Sequence, residues 1–423
     1  MEHKLHPHLN QLERSATLAI NERSIELAAA GQAIYRFGFG QSPFPVPDSI
    51  VSALQENAYR KDYLPVEGLY ELRQAVAEYH KETDMIDIAA EGVLISPGSK
   101  ELIFTLQLAL TGTTFIPTPC WVSYMPQGKI VQRESKFIQT CFEDNWRLLP
   151  DQLETAIKSI AGPHLLVLNY PGNPDGGTYS AEELKALANV ARKNNVLILS
   201  DEIYGRLYHK GEHVSIARFY PEGTIVSSSL SKWCAAGGWR LGHFAFPKEL
   251  FWLKEALASI TSDTYSCVAA PIQYAGLQDY NDKDTVGEYL LHCRRILSTI
   301  GNFCASTLLE AGVNVQSPTG AFYLFPDFES FRISLSEKGI HDSAAMCEQL
   351  LQDTGVVLLP GTAFGRPAEE LNARIAYVNF DGGKTLQTSR EISMEQNLTM
   401  DDLGENAMLV KQGIKNIINW IND

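Results

Sequence analysis

Three polar residues stand just beyond apolar runs of the kind that form buried strands: Asn173 after LLVLNYP, Asp201 after VLILS, and Lys232 after TIVSSSLS. They lie 28 and 31 residues apart, in each case about one strand, crossover helix and strand. The spacing predicts that all three gather at the carboxyl edge of one sheet, where open α/β sheets bind ligands. Taken singly, each has an ordinary explanation. A lysine after a strand is commonly a solvated surface group, and Asp201-Glu202 could open a helix, whose first turn favours acids. Asn173-Pro174-Asp175-Gly176-Gly177 is good turn chemistry, and Ser99 in PGSKELIF could be a helix N-cap followed by an exposed Lys100. An amide, a carboxylate and an amine converging on one edge are not what packing alone selects.

One ligand chemistry uses all of these groups, that of a phosphorylated aromatic aldehyde. A lysine amine forms a Schiff base with its carbonyl, and a carboxylate keeps the ring nitrogen protonated so that the ring accepts electrons. Lys232 and Asp201 fit those two roles. A phosphate needs backbone N–H groups at a helix N-terminus together with hydroxyl and guanidinium donors, which Ser99, Lys100, Ser229 and Arg240 could supply. Trp121 in PTPCWVSY could stack on the ring. An amine that takes up and gives back a proton must titrate below its free value of about 10.4. Burial, a protonated ligand and Arg240 would all lower it.

The elements that must position these groups follow from the pattern. Apolar runs of four to six residues alternate with amphipathic helices such as AEELKALANVARKN, which indicates strands buried on both faces of an α/β layered domain. That domain is placed at residues 49–290, with a mostly parallel central sheet covered by helices. Residues 1–48 and 291–423 are read together as a smaller α+β domain formed by both chain ends. It opens with one helix and the Pro-rich, extended FGQSPFPVP. Beyond a long helix at about 284–309, TGAFYLFPDF, VVLLPGTAFG and ARIAYVNF read as strands. Residues 381–405 read as polar and turn-rich. LVKQGIKNIINWIND closes the chain as a helix with Val410, Ile414, Ile417, Ile418 and Ile421 on one face.

Composition removes several classes of function. The 423 residues are 45% apolar and 20% charged, with 31 Gly and 20 Pro, so the chain is globular and neither disordered nor collagen-like. Its 35 basic and 50 acidic side chains give a net charge of −15, which argues against nucleic acid or anionic lipid as a partner. No window approaches the roughly 18 apolar residues of a membrane span, and no secretory signal pattern opens the chain. Seven cysteines without a C-x-x-C pair read as thiols of a reducing cytoplasm. No metal site is expected: His3, His6 and His8 read as a solvated N-terminal segment.

The motifs YLPVEGLYELR, SPGSKELIF, PTPCWVSYMP, NYPGNPDGG, SDEIYG, SLSKWCAAGGWRLG, PTGAFYLFPD, PGTAFG and ARIAYVNF occur in that order between about Gly40 and Phe380. Together they resemble the class I/II aminotransferases, pyridoxal-phosphate enzymes of fold type I in the aspartate aminotransferase superfamily. The resemblance implies that Lys232 forms the resting Schiff base and, once displaced, moves the substrate's proton. It implies that Asp201 pairs with the pyridine nitrogen and that Asn173 and Tyr204 bond the phenolic oxygen. Ser99, Lys100, Ser229 and Arg240 would bind the phosphate, Trp121 would stack on the ring, and Tyr63 would reach the cofactor of the second subunit of a homodimer. Arg374 would hold the substrate α-carboxylate with Asn173 and the backbone near Gly40. Arg374 by itself also fits a domain-interface ion pair.

Phe37, Phe39, Phe44, Tyr323 and Tyr265 are expected to line the side-chain pocket, which favours a neutral, aromatic, branched or methionine-like amino acid over a dicarboxylic one. The chain departs from the family where N-P-T-G becomes Asn173-Pro174-Asp175-Gly176-Gly177, where only TGTT separates TLQLAL from FIPTP, and in a longer segment 381–405. A pyridoxal-phosphate lyase or cyclase uses the same residues and is the alternative reading. A regulator of this fold would carry a helix-turn-helix domain, for which the roughly 40 residues ahead of the α/β block leave no room. A dinucleotide enzyme would show Gly-x-Gly-x-x-Gly after a strand, which this sequence lacks.

Overall fold

The computed structural model describes residues 5–12, 16–210 and 213–423; His3 lies outside them. Strand β1 (Tyr35–Arg36) comes first, followed by β2 (Val93–Ser96), β3 (Thr113–Thr118), β4 (Ser135–Gln139), β5 (His164–Asn169), β6 (Leu197–Asp201), β7 (Thr224–Ser229) and β8 (Gly242–Ala245). The last seven form one sheet in the order β2-β8-β7-β6-β5-β3-β4, in which only β8 runs antiparallel to its neighbours. The fold is therefore α/β with a mostly parallel central sheet. The continuous apolar run Leu165–Leu168 is buried throughout, as expected of a central strand covered on both faces. The edge strand β4 is largely exposed.

The crossover helix Ala181–Lys193 shows how the sequence sets these elements. Ser180 Oγ accepts from the Glu183 N–H while Glu183 Oε2 accepts from the Ser180 N–H, a reciprocal cap. Leu184, Leu187, Ala188 and Ala191 form its buried face, at the three- and four-residue spacing of one helical stripe. Asn194 ends it, and β6 begins three residues later.

Beyond β8 the chain forms a helix of 28 residues, Lys283–Glu310, started by Asp282 accepting from the Thr285 N–H. A three-stranded antiparallel sheet follows, made from β9 (Tyr323–Leu324), β11 (Leu359–Pro360) and β12 (Ala373–Ala376) in the order β11-β12-β9. Strand β10 (Val356–Val357) pairs in parallel with β1. The sequence run VVLLPGTAFG is thus two very short strands followed by a 3₁₀ turn at Gly361–Phe364.

The closing helix Met408–Asn422 buries Val410, Gly413, Ile414, Ile417, Trp420 and Ile421, and leaves Ile418 only half-buried. Gly413 belongs to that face because the Phe37 ring occupies the space a Cβ would need. Residues 381–405 differ from the turn-rich expectation. They hold the helix Gly382–Glu391, capped by Asp381, and the turn Met400–Leu403, capped by Thr399. The connection between them is held by Arg295 on the long helix, whose guanidinium donates to the carbonyls of Ser389, Ile392, Ser393 and Gln396. A polar segment lacks an apolar stripe to announce its helix, and one arginine a hundred residues away supplies its backbone with partners.

Candidate active site

The carboxyl ends of β5, β6 and β7 lie side by side, with Asn169 opposite Asp201 and Asp201 opposite Ser227. Asn173 lies four residues past β5, Asp201 ends β6, and Lys232 lies three past β7. These residues open onto a cleft of about 600 Å³, which Gly40, Ser99, Lys100, Trp121, Tyr204 and Arg240 also line. Six further lining residues were not singled out from the sequence for this site: Gln41, Asn169, Ile203, Ser231, Gly237 and Gly238.

Lys232 Nζ donates to the Gly40 carbonyl at 2.7 Å. Its ammonium is pushed down to about 8, first by withdrawal from water and next by the Arg374 guanidinium, with Asp201 acting in the opposite sense. Asp201 is buried and pushed up to about 6, mainly by that burial. Its Oδ2 accepts from Tyr124 Oη at 2.6 Å, whereas its Oδ1 is buried with no partner within the chain. The adjacent Glu202 is placed differently. Burial pushes its carboxyl up, but His213 at 2.9 Å and the hydroxyls of Ser200 and Ser215 outweigh this and hold it low. Strand alternation sends the two carboxylates to opposite sides, so Glu202 is satisfied inside the protein and Asp201 keeps a free oxygen at the cleft.

The Tyr204 and Tyr323 hydroxyls are hydrogen-bonded at 2.8 Å. Arg374, on β12, donates to Asn173 Oδ1 at 3.0 Å and to the Gly38 carbonyl at 2.6 Å, and its Nε is buried without a partner. Its cation lies against the rings of Tyr323 and Phe364, 4.9 and 5.1 Å from their centroids. A Cβ at residue 40 would collide with the Tyr323 hydroxyl, so only glycine lets this backbone approach so closely.

At the other end of the cleft Ser99 opens the helix Ser99–Ala109 from Gly98, whose φ is +88°. The Arg240 guanidinium occupies the space a Cβ on Gly98 would need, and donates to the Gly237 carbonyl at 2.9 Å. Lys100 is lowered by burial and by Arg240. Two cations therefore converge on a helix N-terminus, the electrostatics of an anion site. Ser229 does not line the cleft: its hydroxyl donates to Ser231 Oγ at 2.7 Å, and Ser231 faces the opening. Trp121 stands edge-on to Tyr124 with centroids 5.1 Å apart.

Several expected residues lie outside the lining of the cleft, among them Tyr323 and Arg374, which are buried next to each other behind it. Phe37 is fully buried in the core, and Phe44 packs edge-on against Tyr289 and Phe380. Tyr265 donates to the Ile95 carbonyl away from the opening. Only Phe39 of the three phenylalanines reaches the cleft, because the regular strand ends at Arg36 and alternation does not extend to residue 39. Tyr63 is 90% exposed and outside the cleft of its own chain. Tyr124 was not anticipated. Its signal is the Trp-x-x-Tyr spacing of a turn that the Tyr124 N–H closes by donating to the Trp121 carbonyl, which brings the two rings together. Among the described residues no group of three or more His, Cys, Asp or Glu could hold a metal ion, and no helix is long and apolar enough to cross a membrane.

The groups left unpaired define what fits between them. A buried carboxylate oxygen suits a protonated ring nitrogen, an amine suits a carbonyl, and the helix N-terminus with Arg240 suits a phosphate. Pyridoxal phosphate presents all three. Comparison with known proteins leads the same way. Residues 33–381 match the family described as aminotransferase class I and II. The chain is 32% identical over 384 residues to an aspartate aminotransferase of Bacillus subtilis, covering 88% of this chain and 94% of that one. It is 31% identical over 386 residues to an aspartate/prephenate aminotransferase of Cereibacter sphaeroides, with the same shares covered. The solved structure of the Thermus thermophilus aspartate aminotransferase with maleate superposes with a TM-score of 0.82 at 26% identity, covering 92% of this chain and 98% of that one.

Tyr124→Phe removes the hydroxyl that favours the ionised Asp201 carboxylate. Asp201 then protonates at a higher pH, so the acid limb of kcat/KM against pH is expected to move upward. An unmoved limb in a folded, cofactor-bound variant would contradict this electrostatic role.

Proposed function

This chain belongs to the class I and II aminotransferases and is a pyridoxal-phosphate-dependent transaminase of fold type I, and from that premise we propose the work of its individual residues and its choice of substrate. The reaction moves an amino group from an L-amino acid to a 2-oxo acid. Pyridoxal phosphate, when bound, supplies the carbonyl that accepts the amine and a protonated ring that draws electrons from the α-carbon. In the proposed scheme Lys232 holds the cofactor at rest and, once displaced, its Nζ takes the proton from the substrate α-carbon and would deliver it to the cofactor carbon that carried the aldehyde. An amine pushed down to about 8 keeps a neutral fraction near neutral pH, so it can act as a base without leaving the physiological range.

Asp201 Oδ1 holds the ring-nitrogen proton, and Asn173 and Tyr204 bond the phenolic oxygen. Ser99, Lys100, Arg240 and the Ser231 hydroxyl take the phosphate, with Ser229 behind Ser231 as its hydrogen-bond partner. Trp121 covers the ring and excludes water. Arg374 grips the substrate α-carboxylate with Asn173 and the backbone at Gly40, and Tyr323 supports Arg374 and Tyr204. The observation that carries this scheme is that Lys232 and Asp201, whose Oδ1 has no partner within the chain, line one cleft.

Residues 49–290 are taken as the cofactor platform, and 1–48 with 291–423 as the cap. The β1–β10 pairing, which ties the two chain ends together, supports this division. A homodimer in which Tyr63 reaches the neighbouring cofactor is supported by the exposure of Tyr59, Tyr63 and Tyr70 on this chain. Cytoplasmic residence is supported by seven cysteines that are all free.

For the donor we propose a neutral, aromatic or methionine-like amino acid, supported by Phe39, Trp121 and Ile203 around the opening. The second reading is aspartate, the substrate in the names of several relatives.

Three measurements test the scheme. Lys232→Ala is expected to fold, to lose the borohydride-trapped adduct of the wild type, and to transaminate at least about 10²-fold more slowly; an adduct trapped on another lysine would overturn the assignment. A panel of amino donors against several 2-oxo acids is expected to rank phenylalanine or methionine above aspartate by kcat/KM, and the reverse order selects the second reading. Sedimentation equilibrium is expected at twice the chain mass of 46.9 kDa; a monomer that is fully active would remove Tyr63 from the site.

A further inference from the structure

The turn Asn173-Pro174-Asp175-Gly176-Gly177 is one of three places where the sequence differs from the family pattern it resembles, and the structure supplies a partner for the difference. Asp175 Oδ2 accepts from Arg147 at 2.8 Å, and both side chains are only 8% exposed. Arg147 comes from the loop after β4, and its cation also lies 5.0 Å from the centroid of the Tyr179 ring. The pair fits because glycine stands on each side of it. A Cβ on Gly172 would collide with Asp175 Oδ1, and one on Gly177 would collide with the Arg147 guanidinium.

The same turn is closed by backbone bonds, Gly172 N–H to the Gly177 carbonyl at 2.8 Å and Gly176 N–H to the Gly172 carbonyl at 2.9 Å. The Asn173 N–H donates to Asn169 Oδ1 at 2.9 Å. Asn173 then presents its Oδ1 to Arg374, and the Gly176 carbonyl receives the N–H groups of Thr319 and Gly320 shortly before Tyr323. An ion pair at Asp175 therefore sits in the turn that carries Asn173, the residue that meets Arg374.

We propose that Arg147 and Asp175 are positioning residues for substrate-carboxylate binding: their buried pair fixes the 172–177 turn so that Asn173 orients the Arg374 guanidinium. The proposal rests on the reading of Arg374 and Asn173 as the carboxylate site. Neither positioning residue lines the cleft, so the effect must pass through Asn173. Its signature is weaker binding of any carboxylate, with the chemical step and the phosphate end untouched, because a contact made equally in the ground and transition states shows in KM and not in kcat.

The design of the test follows from burial. Removing one partner leaves an unpaired buried charge, which is costly in itself, whereas removing both is often nearly neutral for stability. The holoenzymes of wild type, Asp175→Ala, Arg147→Met and the double variant are compared for kcat, donor KM, cofactor affinity and thermal stability. The dissociation constants of maleate and 3-phenylpropanoate, carboxylates without an amine, are measured alongside. Expected is a double variant close to wild type in stability, kcat and cofactor affinity, yet with KM and both dissociation constants raised about tenfold, the equivalent of 1.4 kcal/mol. A double variant whose carboxylate binding matches wild type overturns the proposal, whatever the single variants do, and so does a parallel loss of carboxylate and cofactor binding. Failure of wild type to transaminate, or of Arg374→Met to weaken carboxylate binding, would instead strike the underlying reading of the site.

Discussion

An amine withdrawn from water yet reachable from a cleft is the constraint around which the rest of the structure is arranged. Lys232 is surrounded by Arg374, Arg240 and Lys100, with Asp201 the anion that opposes them, in a protein whose net charge is −15. Such a concentration of cations needs acceptors. Backbone carbonyls supply them: Gly40 to Lys232, Gly38 to Arg374 and Gly237 to Arg240. Two of the three belong to the segment after β1, which explains why the start of the chain must reach the centre of the site. It also explains the glycine at 40, where the backbone lies directly against Tyr323.

The adjacent carboxylates Asp201 and Glu202 carry the same logic. A strand turns one inward to histidine and hydroxyl partners and the other to the cleft with an oxygen to spare. The difference between them is made by environment and not by residue type. Glu202 is satisfied within the protein, and in the proposed scheme Asp201 is the place where a cationic ring nitrogen would be stabilised.

Much of this arrangement was legible in the sequence because it depends on topology. Asn173, Asp201 and Lys232 meet since each follows a strand of one parallel sheet, and strand-to-strand spacing is a sequence property. The phosphate end was legible for the same reason, a glycine turn feeding a helix, although Ser231 and not Ser229 faces the opening. What the sequence did not reveal depends on tertiary contact. Tyr124 bonds Asp201 from 77 positions away, Arg147 meets Asp175 across two loops, and Arg295 orders a polar segment that has no apolar stripe. Phe37 and Phe44 belong to the core and not to the cleft, because the direction of each ring is set by tertiary contacts with Gly413, Tyr289 and Phe380.

Burial and the surrounding cations hold the Lys232 amine where it can exchange protons near neutral pH, and a pH titration of the cofactor-free protein labelled with ¹³Cε-lysine, followed by NMR, tests this, with Lys232→Arg identifying the resonance. One lysine is expected to titrate near pH 8, well below the value of about 10.4 for a free lysine. A Lys232 signal that titrates with the solvent-exposed lysines would contradict it.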